Sequence, residues 1–157
     1  MTAARQGRER GSARTAALGL LLAAALAGLS GCGASAIRAD RVQAAVGRTF
    51  TNLYIYQQGL LDHPGLTVQW VAGQAGCLRR GASPPDRGAG DDWQCQLSWH
   101  AFDGSAQQAL YDVQVRTNGC FTATGPPAVV GRQTLYTSGG RARVNPLYQF
   151  DGCFDPS

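Results

Sequence analysis

Trp93-Gln94-Cys95-Gln96-Leu97-Ser98-Trp99-His100 carries an apolar side chain at every odd position and a polar one at every even position. Side chains of a strand alternate between two faces with period two. The run therefore predicts a strand with Trp93, Cys95, Leu97 and Trp99 on a covered face and Gln94, Gln96, Ser98 and His100 on a wet one. One covered and one wet face is the pattern of an antiparallel sheet, because parallel sheets are buried on both sides.

Downstream the alternation resumes. Residues 109–117 predict a partner strand with Tyr111, Val113 and Val115 inward and Asp112, Gln114 and Arg116 outward. Asn118-Gly119 is a strong signal for a two-residue type I′ hairpin. That turn would set Thr117 opposite Cys120 and Val115 opposite Thr122, with Cys120 on the covered face. Gly125-Pro126-Pro127 closes the meander, and residues 133–137 and 141–144 can pair across Ser138-Gly139-Gly140. The tail, Asn145 to Phe154, is aromatic and makes sense if Cys153 clips it back onto the sheet.

Upstream, Leu66 to Val71 alternates with Leu66, Val68 and Trp70 on one face and predicts a first strand, broken by Gly73 and Gly76 before Cys77. Residues 79–92 form a polar loop without apolar anchors. Asp62-His63-Pro64-Gly65 is a turn. From Ile37 to about Leu61, Val42, Ala45, Val46, Thr49, Phe50, Leu53 and Leu60 fall on one helical arc. Ser35 or Asp40 would cap it, while Gly47 and the strand-forming run Asn52 to Tyr56 would weaken its far end. Arg38, Arg41 and Arg48 flank the arc as a solvated border or as contacts for anionic headgroups.

Five cysteines are present. Cys77, Cys95, Cys120 and Cys153 form an even set, which in an exported chain indicates two disulfides. Of three pairings, the strand order favours Cys77–Cys95, stapling the base of the long loop, and Cys120–Cys153, holding the tail. Their gaps are long and contain no Cys-x-x-Cys, so no metal centre is expected. Cys32 stands apart. It follows Arg5, Arg8, Arg10 and Arg14, an apolar run from Ala16 to Leu29, and then small residues. This basic, apolar, small order is that of an export signal. The run has 14 residues, against about 20 for a membrane-crossing helix.

Leu29-Ser30-Gly31-Cys32 resembles the lipobox of a bacterial lipoprotein precursor. The resemblance implies removal of residues 1–31 as a signal peptide and lipidation of Cys32. Residues 32–36 would then be a short lipidated tether and 37–157 a single small domain. Two acyl chains give stable membrane anchoring where one is marginal. A helix ahead of a twisted sheet with neighbouring strands linked by Cys77 and Cys95 also resembles a small domain of actinobacterial lipoproteins of unknown function. That likeness covers residues 37–125 and carries no activity.

The fold expected is α+β: one N-terminal helix packed on a roughly four-stranded antiparallel meander sheet, with a disulfide-clipped C-terminal tail. The net charge of +4 comes largely from the signal, since residues 32–157 hold ten Arg and nine Asp. This balance lacks the basic excess of a nucleic-acid binder. No catalytic residue, cofactor or metal ligand is assigned. Ser98, His100 and Asp103 suggest a hydrolase triad, but Ser98 and His100 on one strand face would stand about 6–7 Å apart. A nucleophile and its base need about 2.6–3.2 Å. His63 reads as a surface turn residue, and Asp86, Asp91 and Asp92 as solvating carboxylates rather than calcium ligands. Trp70, Trp93, Trp99, Tyr111 and Phe121 read as core.

The function expected is that of a cell-envelope lipoprotein. It would be exported and held at the outer face of the cell membrane by the lipid on Cys32. It would act without catalysis as an interaction or structural module for an envelope protein partner. The alternative is a pocket between helix and sheet, lined by Trp99 and Tyr111, for a small apolar ligand.

Overall fold

The computed structural model of the chain describes residues 37–81 and 86–156. The signal segment 1–31, the tether 32–36 with Cys32 and Ser35, and residues 82–85 of the polar loop lie outside the described residues.

The first element, α1 (Ala39–Leu60), runs unbroken through Gly47 and Asn52–Tyr56. Buried Val42, Val46, Phe50 and Tyr54 stripe one side of it, and this packing outweighs the local strand preference. Gly47 packs against β1, where a Cβ on it would meet the Ala75 nitrogen in ordinary contact at 3.4 Å. Asp40 does not cap the start. Instead the Ala39 N–H donates to the Asp86 carbonyl (3.0 Å) and the Gly88 N–H to the Ile37 carbonyl (2.9 Å), so loop backbone closes the helix entrance. At the other end Asp62 adopts a left-handed φ of 62°, and the His63 N–H returns to the Gln58 carbonyl as a Schellman cap.

The first expected strand is displaced. Val68–Val71 is a single helical turn, α2, started by Thr67, whose Oγ1 accepts from the Trp70 N–H at 3.2 Å. Val68 and Trp70 are exposed, and Val71 is the one buried residue of the turn. Strand β1 follows as Gln74–Arg79 and passes through Gly76 and Cys77.

Next come β2 (Gly90–His100), β3 (Ala106–Val115) and β4 (Cys120–Thr124). After them lie the short helix α3 (Pro127–Val130), the hairpin strands β5 (Thr134–Tyr136) and β6 (Ala142–Val144), and β7 (Gln149–Cys153). The main sheet is antiparallel throughout, in the order β1-β2-β3-β4-β7, while β5 and β6 form a separate two-stranded sheet. The fold is α+β as expected, with the C-terminal tail supplying a fifth strand.

One register differs from expectation. Val115 pairs with Phe121, not Thr122, because the β3–β4 turn holds three residues, with Gly119 at φ 78°. The Gly119 N–H donates to the Arg116 carbonyl and the Arg116 N–H to the Cys120 carbonyl. A slip of one residue moves every side chain to the other face. Phe121 and Ala123 therefore point into the core, and Cys120 points outward.

The layer between α1 and the sheet is filled by aromatic rings. Phe50 lies 4.8 Å from the Trp99 ring, 5.9 Å from Tyr111 and 6.5 Å from Phe150, centroid to centroid. Tyr111 is fully buried, and its hydroxyl donates to the Leu147 carbonyl at 2.8 Å. Trp93, Cys95, Leu97 and Trp99 all point inward, as their alternation required.

The disulfides are Cys77–Cys95 and Cys120–Cys153, each joining residues directly opposite one another on neighbouring strands. The first lies in the core. The second lies on the outer face, with Cys153 exposed.

Candidate functional site

Helix α1 covers one face of the sheet and leaves the other to solvent. Leu78, Gln94, Asp112, Thr124 and Gln149 form one cross-strand row from edge to edge of that outer face. Neighbouring rows place Gly76, Gln96 and Leu110 side by side, and Gln74, Ser98 and Gln108. The Gln94 amide donates to the Asp112 carboxylate at 2.9 Å, and the Thr122 hydroxyl to that of Asp151. Long amides with two half-exposed leucines make a flat surface able to pair hydrogen bonds with a partner while burying modest apolar area.

Neither histidine makes a hydrogen bond to a serine, threonine or cysteine side chain among the described residues. His100 is exposed on the outer face, and Asp103 is occupied elsewhere: its carboxylate accepts from both the Ser105 N–H (2.9 Å) and hydroxyl (2.7 Å). Those two bonds hold the Asp103 carboxyl below its ordinary range. His63 stacks on Phe102 at 3.9 Å and shares a hydrogen bond of 2.9 Å with the Gln58 side chain.

The described parts of the 79–92 segment, residues 79–81 and 86–92, are better anchored than their composition suggests. Arg79 is the hub: its N–H donates to the Asp86 carboxylate (2.9 Å), its Nε to Asp92 (2.7 Å) and its Nη1 to the Arg87 carbonyl (2.7 Å). Asp86 and Asp92 thus serve the fold. No group of three or more potential metal-ligating side chains occurs among the described residues.

The hydrogen bond from Arg79 holds the Asp92 carboxyl below its ordinary value of 3.8. A depressed carboxyl stabilises the fold above its unfolded pKa, and that contribution fades as pH falls through the lower folded value. Asp92→Asn should accordingly lower stability at pH 7, and the difference from the parent should close below about pH 3.8. Urea unfolding of both proteins at neutral and acid pH checks this.

A polar clamp that sequence reasoning missed sits at the far end of α1. Asn145, 2 % exposed, accepts at Oδ1 from the Gln57 amide (2.7 Å) and the Leu147 N–H (3.0 Å). Its Nδ2 donates to the Val130 and Arg132 carbonyls at 2.8 and 2.9 Å. All its hydrogen-bonding capacity is used, as a buried amide requires. The only sequence signal was an Asn-Pro pair, which reads as an ordinary turn.

Grooves open on the surface, and two of them border α1 where the expected pocket would lie. One of about 820 Å³ runs between α1 and the α2–β1 segment, with Asp40, Gln43, Arg48 and Asn52 on its helix side. The other, about 320 Å³, lies at the end of α1 between Tyr54, Trp99, Phe102 and Leu147. Neither reaches Tyr111, so Trp99 and Tyr111 do not line a shared opening in either. Trp70 is half-exposed and rests on the β2–β3 turn, where its indole N–H donates to the Ala101 carbonyl at 3.4 Å. It is not part of the core expected for it. No helix among the described residues is long and apolar enough to cross a membrane. The chain matches no protein-family model, no curated protein and no solved structure.

Proposed function

We propose that the chain is a bacterial cell-envelope lipoprotein. In this reading residues 1–31 are removed, Cys32 carries the lipid, and the remaining chain is held at the outer face of the cell membrane. It works there as a non-catalytic interaction or structural module, offering the Gln-rich outer face of the sheet to an envelope partner. The observation that carries the reading is Leu29-Ser30-Gly31-Cys32 directly behind an arginine-rich start and a 14-residue apolar run. Two disulfides support it, since such bonds persist in oxidising compartments outside the cytosol. The filled ring layer between α1 and the sheet favours a surface role over an enclosed apolar pocket.

Cys32→Ser tests the anchor. The variant should take up no fatty-acid label and should leave the membrane fraction after a wash in about 1 M salt, which shortens electrostatic reach to about 3 Å. Label incorporation and retention equal to the parent would refute the proposal.

A further inference from the structure

The β5–β6 hairpin stands outside the main sheet and is bound at its base. The Asn145 N–H donates to the Gln133 carbonyl at 2.8 Å, and the Asn145 side chain ties the same segment to Gln57 of α1. An isolated two-stranded ribbon is marginal in water, yet this one exposes an apolar face. Register pairs Thr134 with Val144 and Tyr136 with Ala142, so these four side chains share one side. Tyr136 is 67 % and Val144 75 % exposed, the two most exposed large apolar residues described.

Charge is segregated to the same hairpin but to its other side, where register sets Arg143 opposite Leu135 and Arg141 lies two residues before it. Between Asp112 and Asp151 the chain has no acidic residue and four arginines, of which Arg132, Arg141 and Arg143 belong to the hairpin and its approach. All three are exposed, and their guanidinium groups make no hydrogen bond or ion pair among the described residues. The arginines at the start of α1 differ. Arg38 lies 3.3 Å from Asp40, and Arg41 donates to the Asp155 carbonyl at 2.8 Å. Outside the stretch between Asp112 and Asp151, residues 32–157 carry six Arg against nine Asp. An anionic partner is thus steered to the hairpin and away from the rest of the body.

We infer that the β5–β6 hairpin is a membrane-docking element for an anionic phospholipid surface. Tyr136 and Val144 enter the interfacial region, where an aromatic ring with a polar tip is favoured. Arg141 and Arg143, on the opposite side from Tyr136 and Val144, reach the lipid phosphates around the edges of this narrow two-stranded ribbon, their long stems lying along apolar surface while the charged heads stay hydrated. The contact stands whether or not Cys32 is acylated. Taken with the proposed anchor, it adds a second attachment point. Gln57, which holds the hairpin base, is 18 residues along α1 from its first residue, Ala39, a helical distance of about 27 Å. Two such contacts would lay α1 along the bilayer and orient the body.

Amide hydrogen exchange of the native protein on vesicles of phosphatidylglycerol or of phosphatidylcholine tests this. Residues 133–144 should gain protection on phosphatidylglycerol and none on phosphatidylcholine. An arginine near such a surface is worth about fivefold in partition, so Arg141→Gln with Arg143→Gln should weaken the hairpin contact about thirtyfold. Arg80→Gln with Arg116→Gln, which removes the same charge elsewhere, should leave the protection in place. Equal exchange on both lipids, or protection that survives the Arg141/Arg143 substitutions, overturns the inference. So does protection that appears without vesicles and grows with protein concentration, which would assign the face to a second copy of the chain. Retention by the acyl anchor is read separately, from sedimentation on both lipids, so failure of one proposal is distinguishable from failure of the other.

Discussion

Phe50→Ala lowers the free energy of unfolding by about 3–5 kcal/mol, the range for truncating a fully buried aromatic. Phe50 is wholly inaccessible and stands in the middle of α1, where its ring meets Tyr54, Trp99, Tyr111 and Phe150. Those neighbours are not free to collapse into the gap. Tyr111 is held by its hydroxyl on Leu147, and a Cβ on Gly125 would strike its ring at 2.6 Å, so backbone already closes that side. Against a typical stability of about 5–15 kcal/mol, the loss is a large share of the total. Urea unfolding followed by tryptophan fluorescence measures it. A loss below about 1 kcal/mol would mean that the helix is not seated on the sheet through this ring.

The outer disulfide gives the second large effect. Cys120→Ala with Cys153→Ala opens a closure spanning 33 residues, worth about 4 kcal/mol in the chain-entropy account, against about 3 for the 18-residue Cys77–Cys95 closure. It also removes the covalent tie of the last strand. Beyond Cys153, β7 is held to β4 by its ladder, by Phe150 in the core and by the Phe154 N–H on the Gly119 carbonyl. Access sets the order of reduction: Cys153 is exposed, whereas Cys95 is fully buried. Graded dithiothreitol with thiol alkylation and peptide mapping should therefore find Cys120 and Cys153 labelled before Cys77 and Cys95. Labelling in the reverse order, or a double substitution without effect on the urea midpoint, contradicts this placement.

How much of the fold could be read from residues alone depended on how far a local pattern was also a global one. In β2 the alternation of Trp93, Cys95, Leu97 and Trp99 coincided with burial on one side, and every side chain went where it pointed. In Leu66–Val71 a similar alternation misled, because the Thr67 hydroxyl could start a helical turn and the apolar side chains of Val68 and Trp70 were left in water. The true first strand, Gln-Ala-Gly-Cys-Leu-Arg, hides its pattern by placing Gly76 and Leu78 on the wet face. At Asn118-Gly119 the turn was legible but its length was not. Gly119 serves equally in a two- or a three-residue loop, and the choice of three reversed the facing of Cys120.

The candidate surfaces were less legible than the core. The Gln-rich outer face was implied by the even positions of β2 and β3. Its extension across β4 and β7 depended on a long-range pairing that carries no local signal. The Asn145 clamp joins positions 88 residues apart, Gln57 and Asn145, and only the folded chain brings them together. The apolar face of the β5–β6 hairpin follows from its register, Tyr136 opposite Ala142 and Thr134 opposite Val144. The arginines that flank it were visible as residues but not as unpaired ones.

The proposed role depends on a single thiol near the front of the chain. Intact-mass and N-terminal peptide mass spectrometry of the protein taken from its native membrane addresses that thiol directly. The account predicts Cys32 as the first residue, carrying a diacylglyceryl group on sulfur. A first residue other than Cys32, or a Cys32 without fatty acid, contradicts it.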